Sequence, residues 1–183
     1  MLLALATKGT LMLNSRSHMY TAPILLFVVC LLPLCVTAQD PVTVLTGPEL
    51  TRVVPPGFYF QGLSAATQMR NSAAARFGAS RYVIAALVDT SGYAADVRAK
   101  YEGFFITDSA IRINGSELST GAYGFGFSND GKLNILDLAG NVVLSVSTKK
   151  DSTMKRPRPL MMTKAADGVR FYSGKDYATI TSK

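Results

Sequence analysis

The sequence has no tryptophan, one histidine and two cysteines in 183 residues. All three scarce residues, His18, Cys30 and Cys35, fall before position 39. Residues 39–183 therefore carry no thiol to cross-link or attack with, and no imidazole to serve as a general base. Ser-His-Asp triads, thiol catalysis and His- or Cys-ligated zinc are excluded for that stretch. A long membrane-spanning run is missing too. The most apolar stretch, Ile24 to Val36, covers 13 residues with Pro33 inside it, against about 20 for a spanning helix. Acid/base chemistry is left to carboxylates alone, and the reading calls for no cofactor, no metal and no catalytic residue.

What stands at the N-terminus has the layout of an export signal. Lys8 and Arg16 precede the apolar run, and Val36-Thr37-Ala38 sets slim residues at the −3 and −1 positions of a cleavage after Ala38. Met12 or Met19 are alternative starts. Cys35 does not make a lipobox, because Leu34 stands where a small residue is needed. An uncleaved anchor is the alternative. The expected organisation is a cleaved signal peptide over 1–38, a linker with a short helical turn over 39–56, and a β-domain over 57–183, with a periplasmic or secreted location. Cleavage would remove Lys8 and Arg16 from the 19 cations, leaving 17 against 12 anions, a net charge of +5 over 145 residues. With no cysteine available for disulfides, core burial must hold such a domain together, and its length is sufficient.

The remaining chain reads as strands and tight turns. Thr46-Gly47-Pro48-Glu49 has capping-box spacing, and Pro55-Pro56 stops any helix there. Beyond it, short runs rich in Val, Ile, Phe, Tyr and Thr alternate with Gly, Asn and Asp clusters. The expected strands are 57–63, 67–77, 81–88, 97–107, 110–113, 121–128, 132–138, 141–147, 158–163, 168–173 and 177–181. Asn114-Gly115, Asp130-Gly131, Gly140-Asn141, Asp167-Gly168 and Gly174-Lys175-Asp176 mark hairpin turns between them. The fold class is all-β: an antiparallel meander closing as a small β-barrel or folding as a two-sheet β-sandwich.

Alternation sorts the faces. In 97–107, Tyr101, Gly103, Phe105 and Thr107 share one side, and Arg98, Lys100, Glu102, Phe104 and Ile106 the other. In 121–127, Tyr123, Phe125 and Phe127 form an aromatic face, while Ala122, Gly124 and Gly126 leave the opposite face nearly bare. Glycines there suggest sharp bending, as at a barrel corner, or the close approach of another backbone. A transmembrane barrel is disfavoured, since most runs fall short of the 9–11 residues its strands need.

Ile111-Arg112-Ile113-Asn114-Gly115-Ser116-Glu117-Leu118-Ser119-Thr120-Gly121-Ala122-Tyr123 has the form I-x-I-x-G-x-x-L-x-x-G-x-Y. It resembles a hairpin of uncharacterised small exported bacterial β-rich proteins. The resemblance implies an all-β envelope protein and carries no activity or functional residues with it.

Few groups are left for chemistry. Asp89 and Asp96 bracket a polar stretch and would serve a glycosidase if held at the right spacing; as turn-capping residues they need no such role. Glu102 reads as a cross-strand ion-pair partner beside Arg98 and Lys100. Ser147-Thr148-Lys149-Lys150 matches S-x-x-K, but on a strand its ends point to opposite faces and its companion motifs are absent. Asn114-Gly115-Ser116 is formally a glycosylation sequon that a turn role explains.

The charge distribution is more uneven. From 149 to 158 the chain reads KKDSTMKRPR, with Lys149, Lys150, Lys155, Arg156 and Arg158 against Asp151. Such a loop suits anionic lipid head groups or an acidic polymer; a solvated connection is the bland alternative. Tyr59, Tyr101 and Tyr123 combine an apolar ring with a polar handle and are the candidates for a ligand pocket, with core packing as their alternative role. The functional expectation is a non-enzymatic exported envelope protein. Its partner would be a small apolar or amphipathic ligand, an anionic envelope polymer or lipid, or another envelope protein, and not nucleic acid. A carboxylate-dependent hydrolase such as a glycosidase is the alternative.

Overall fold

The computed structural model describes residues 41–183; the expectations placed on residues 1–38, including His18, Cys30 and Cys35, lie outside them. In chain order the elements are β1 (Val42–Val44), α1 (Gly47–Val53), β2 (Gly57–Phe60), β3 (Leu63–Phe77), β4 (Arg81–Val88), α2 (Ala95–Arg98), β5 (Gly103–Thr107), β6 (Ile111–Ile113), β7 (Ser116–Leu118), β8 (Gly121–Ser128), β9 (Lys132–Leu136), β10 (Val142–Ser147), β11 (Lys149–Lys150), β12 (Arg158–Ala165), β13 (Gly168–Gly174) and β14 (Asp176–Ser182). The fold is all-β and antiparallel. No helix among them is long and apolar enough to cross a membrane.

Two sheets form, and they do not close into a barrel. The first runs β1-β3-β4-β5-β8-β9-β10, with β2 also pairing along β3; the second runs β12-β13-β14-β6-β7, with β11 also pairing along β14. The architecture is thus a two-sheet sandwich, and its path is not a plain meander. The β6–β7 hairpin leaves the first sheet after β5 to pair with β14, and the chain returns to the first sheet with β8 beside β5. The hairpin itself turns at Asn114-Gly115, where both residues adopt positive φ, +47° and +86°, as a type I′ turn requires. Asn114 then locks the hairpin in place. Its amide nitrogen donates to the Ser147 carbonyl and its oxygen accepts the Thr179 N–H, each at 2.8 Å.

The space between the sheets is filled. Phe105 and Phe125 from the first sheet meet Phe171 from the second, with ring centroids 5.7 and 5.3 Å away. Ile111, Ile113, Leu133, Ile135, Val169 and Ile180 complete this core. The first sheet is also covered on its other face, where Phe60, Ala86, Val88, Tyr93, Tyr101, Phe104 and Leu136 form a second apolar cluster with α1 packed against it through Leu50 and Val53. Of the expected linker, the described part, 41–56, is therefore built into the fold. β1 pairs with the end of β3, and Leu45 and Val54 are buried. Helix α1 is the short turn expected, begun after Thr46 with proline in its first turn and ended before Pro55, although Thr46 makes no side-chain cap.

The largest local departure is at 97–107. Residues 95–98 form the single helical turn α2, and the strand begins only at Gly103. One turn of helix is too short to leave a period in the sequence, so the strand's alternation runs unbroken across it in the amino-acid pattern. The consequence is a change of side for Tyr101, which enters the outer cluster, whereas Phe105 enters the inter-sheet core. The bare face of β8 has the use expected of it, close approach and not a barrel corner. A Cβ on Gly126 would stand 2.3 Å from the Lys100 carbonyl oxygen, and one on Gly124 would stand 2.6 Å from the Phe60 ring.

Candidate functional site: a basic face on the second sheet

The strand register brings distant residues beside the cationic run of 149–158. β11 pairs with the start of β14, setting Lys149 opposite Tyr177 and Lys150 opposite Asp176. β13 sets Tyr172 against the other side of Tyr177, and β12 extends the row with Met161. By alternation Lys149, Tyr177, Tyr172 and Met161 lie on the face opposite Phe171 and Ile180, which enter the core, while the Lys150–Asp176 pair falls on the other side, at the end of the strands. Arg170 shares the outer face of β13 with Tyr172, and its guanidinium carbon lies 4.9 Å from the centre of the Tyr177 ring, a cation–π contact.

The connection 151–157 is tied down onto this face by Asp151. The Asp151 N–H donates to the Lys175 carbonyl at 2.9 Å. Its Oδ1 accepts the Thr153 N–H at 3.0 Å and the Thr153 hydroxyl at 2.6 Å, and its Oδ2 accepts the Tyr172 hydroxyl at 3.2 Å. Tyr172 is only 2% exposed, so the loop covers it. The Thr153 hydroxyl, more than any other contact, holds the Asp151 carboxyl below the usual aspartate value; the Thr153 N–H and the Tyr172 hydroxyl add to it. The acid of the segment is thus turned inward, while Lys149, Lys150, Lys155, Arg156 and Arg158 are all exposed. Arg170 and Lys175 join them from β13 and the β13–β14 turn. Neither was legible as part of the basic group, since only pairing brings them there.

The three tyrosines are not brought into one pocket. Tyr59 is 60% exposed on β2. Tyr123 packs against the inter-sheet core and donates its hydroxyl to the Ser119 carbonyl at 3.1 Å. Tyr101 is buried on the far side of the first sheet. Its ring stacks on Phe60 at 3.9 Å and meets Tyr93 edge-on at 5.3 Å. Burial pushes the Tyr101 hydroxyl strongly up, with the neighbouring Tyr93 adding to the shift. Tyr93 donates its own hydroxyl to the Leu63 carbonyl at 3.1 Å, and the Tyr101 hydroxyl has no well-formed hydrogen bond among the described residues.

No family model, curated protein or solved structure matches the chain. The geometry is what bears on function.

The carboxylates separate by environment. Asp89 accepts the Ser91 N–H at 3.0 Å, and this turn contact holds its carboxyl below the usual value. Asp96 lies in the first turn of α2. Among the described residues no group of three or more acidic, His or Cys side chains could hold a metal. Glu102 departs from its expected role. It is half-buried and forms no ion pair with Arg98 or Lys100; the Lys100 ammonium donates instead to the Gly140 carbonyl at 3.1 Å. The Glu102 Oε2 accepts the Phe127 N–H at 3.1 Å, taking over as acceptor where the β5–β8 ladder ends. Burial pushes its carboxyl up, partly offset by that N–H. No sequence signal marked it, because its isolation comes from Lys100 being engaged elsewhere.

Proposed function

We propose that this chain is an exported envelope protein whose β-sandwich binds, without catalysis, an anionic envelope polymer or lipid surface through the outer face of its second sheet. The observation that carries the reading is the joining of the exposed Lys149, Lys150, Lys155, Arg156 and Arg158 with Arg170 and Lys175, while Asp151 is bonded inward. Each cation held near an anionic surface contributes about 1 kcal/mol. Five exposed cations would give roughly 5 kcal/mol, a weak and salt-sensitive docking suited to a surface more than to a single molecule. An apolar ligand inside the sandwich draws no support from a core already filled by Phe105, Phe125 and Phe171. The hydrolase alternative draws none from Asp89, which is bonded within its own turn.

The test is co-sedimentation with vesicles of phosphatidylglycerol and phosphatidylcholine, with pure phosphatidylcholine as control. Binding to the anionic vesicles alone is expected. It should fall away in molar salt and on replacing the five loop cations by glutamine, with thermal unfolding unchanged. Failure of the intact protein to bind anionic vesicles at low salt overturns the lipid-surface reading.

A further inference from the structure

A cleft of about 330 Å³ opens at one end of the sandwich, lined by none of the seven cations of the basic face. It is bounded by Gln68 on β3, Val88 on β4, Arg98 and Glu102 around the entry to β5, and Pro159 and Ser173 on the second sheet. Its volume lies within the range of small-ligand sites, about 300–1,000 Å³. Three features of its wall are unusual together. Glu102 presents a half-buried carboxylate of which one oxygen serves the Phe127 N–H, and no cation among the described residues pairs with it. Arg98 lines the same cleft and has no carboxylate partner among the described residues. Gln68 is fixed as a wall, donating to the Val88 carbonyl at 3.0 Å and accepting from Asn71 at 2.8 Å.

An acid and a base in one cleft that do not neutralise each other leave a site with both signs on offer. In a chain with more cations than anions, an unpaired half-buried carboxylate stands out, because neutralising partners are plentiful. Leu87 and Pro159 add apolar surface to the same cleft. We propose that this cleft binds a small zwitterion with an aliphatic side chain, such as a free amino acid, with Glu102 taking the ammonium and Arg98 the carboxylate. The proposal does not depend on the basic face, shares none of its cations, and its test uses no vesicle.

The Phe127 amide is bonded to Glu102 and therefore reports on that carboxylate. Its resonance in a ¹⁵N–¹H spectrum is followed while L-leucine, ethylamine or acetate is added to the intact protein at constant pH. A saturable shift with L-leucine is expected, and a much weaker one with ethylamine or acetate. Glu102→Gln and Arg98→Ala should each lower the leucine affinity about tenfold or more, as for loss of a charged hydrogen bond, while thermal unfolding shows both variants folded. Arg98 is exposed, so its replacement tests the site without disturbing the core. Absence of a saturable leucine shift overturns the proposal. So does ethylamine binding as well as leucine, or unchanged affinity in both variants.

Discussion

Gly126 is held to its identity by a single carbonyl. With the Lys100 oxygen 2.3 Å from where a Cβ would sit, Gly126→Ala must push the α2–β5 connection off the sheet. A loss of about 1–3 kcal/mol is expected by urea unfolding, in the range of other overpacking changes. Gly92→Ala, at a position with open space around it, should stay within about 0.5 kcal/mol of the parent. Glu102 gives a pH-dependent prediction. Its folded carboxyl holds its proton more tightly than the unfolded chain's, whose value is near the ordinary 4.5. The cost of burying its charge is therefore fully present above the folded pKa and disappears as pH falls to the unfolded value. Glu102→Gln keeps an acceptor for the Phe127 N–H and removes the charge. It should be more stable than the parent at neutral pH, with the two unfolding curves converging as pH approaches 4.5. Equal stability across the whole range would mean that the carboxyl is not strained by burial.

At the scale of elements, the loop 151–157 behaves as a bonded structure rather than a tether. Asp151 gathers Thr153 and Tyr172 onto one carboxylate, so Asp151→Ala should release the loop without unfolding the sandwich. Trypsin is the probe. Arg156 and Arg158 are each followed by proline and resist it, leaving Lys155 as the sensitive bond within the segment. Cleavage after Lys155 should be several-fold faster in Asp151→Ala, with the unfolding midpoint little changed. The elements also differ in how far the sequence exposed them. Turns were the most legible, because Asn114-Gly115 and its like need backbone conformations that few residues accept. Strands β4, β8 and β9 followed from their alternation. Helix α2 and strand β11 did not, being too short to carry a period. The candidate site divides in the same way. The five loop cations are contiguous enough to be seen in the chain, whereas Arg170, Lys175 and Glu102 owe their settings to partners far away in sequence.

For the whole molecule, Phe171 is the side chain most shared between the sheets, meeting Phe105, Phe125 and Phe127. Phe171→Ala should cost about 3–5 kcal/mol and lower the unfolding midpoint of both sheets together, which hydrogen exchange on β4 and β14 amides would register as a common loss of protection. The all-β class and the antiparallel order were legible from local pattern, and the two-sheet sandwich was one of the two architectures expected, but which strands enter which sheet was not legible. It is decided by β14, which is flanked on one edge by β13 and on the other by β11 and then β6. That arrangement has a consequence in time. A growing polypeptide that has not yet reached Asp176 offers β11 no partner and β6 only its hairpin mate β7, while β3, β4 and β5 can already zip together as neighbours. Distant pairings of this kind are slow to form. The second sheet, and with it the cationic face, is therefore the last part of the molecule to come into being, and a partly synthesised chain carries its charges without yet presenting the surface that arranges them.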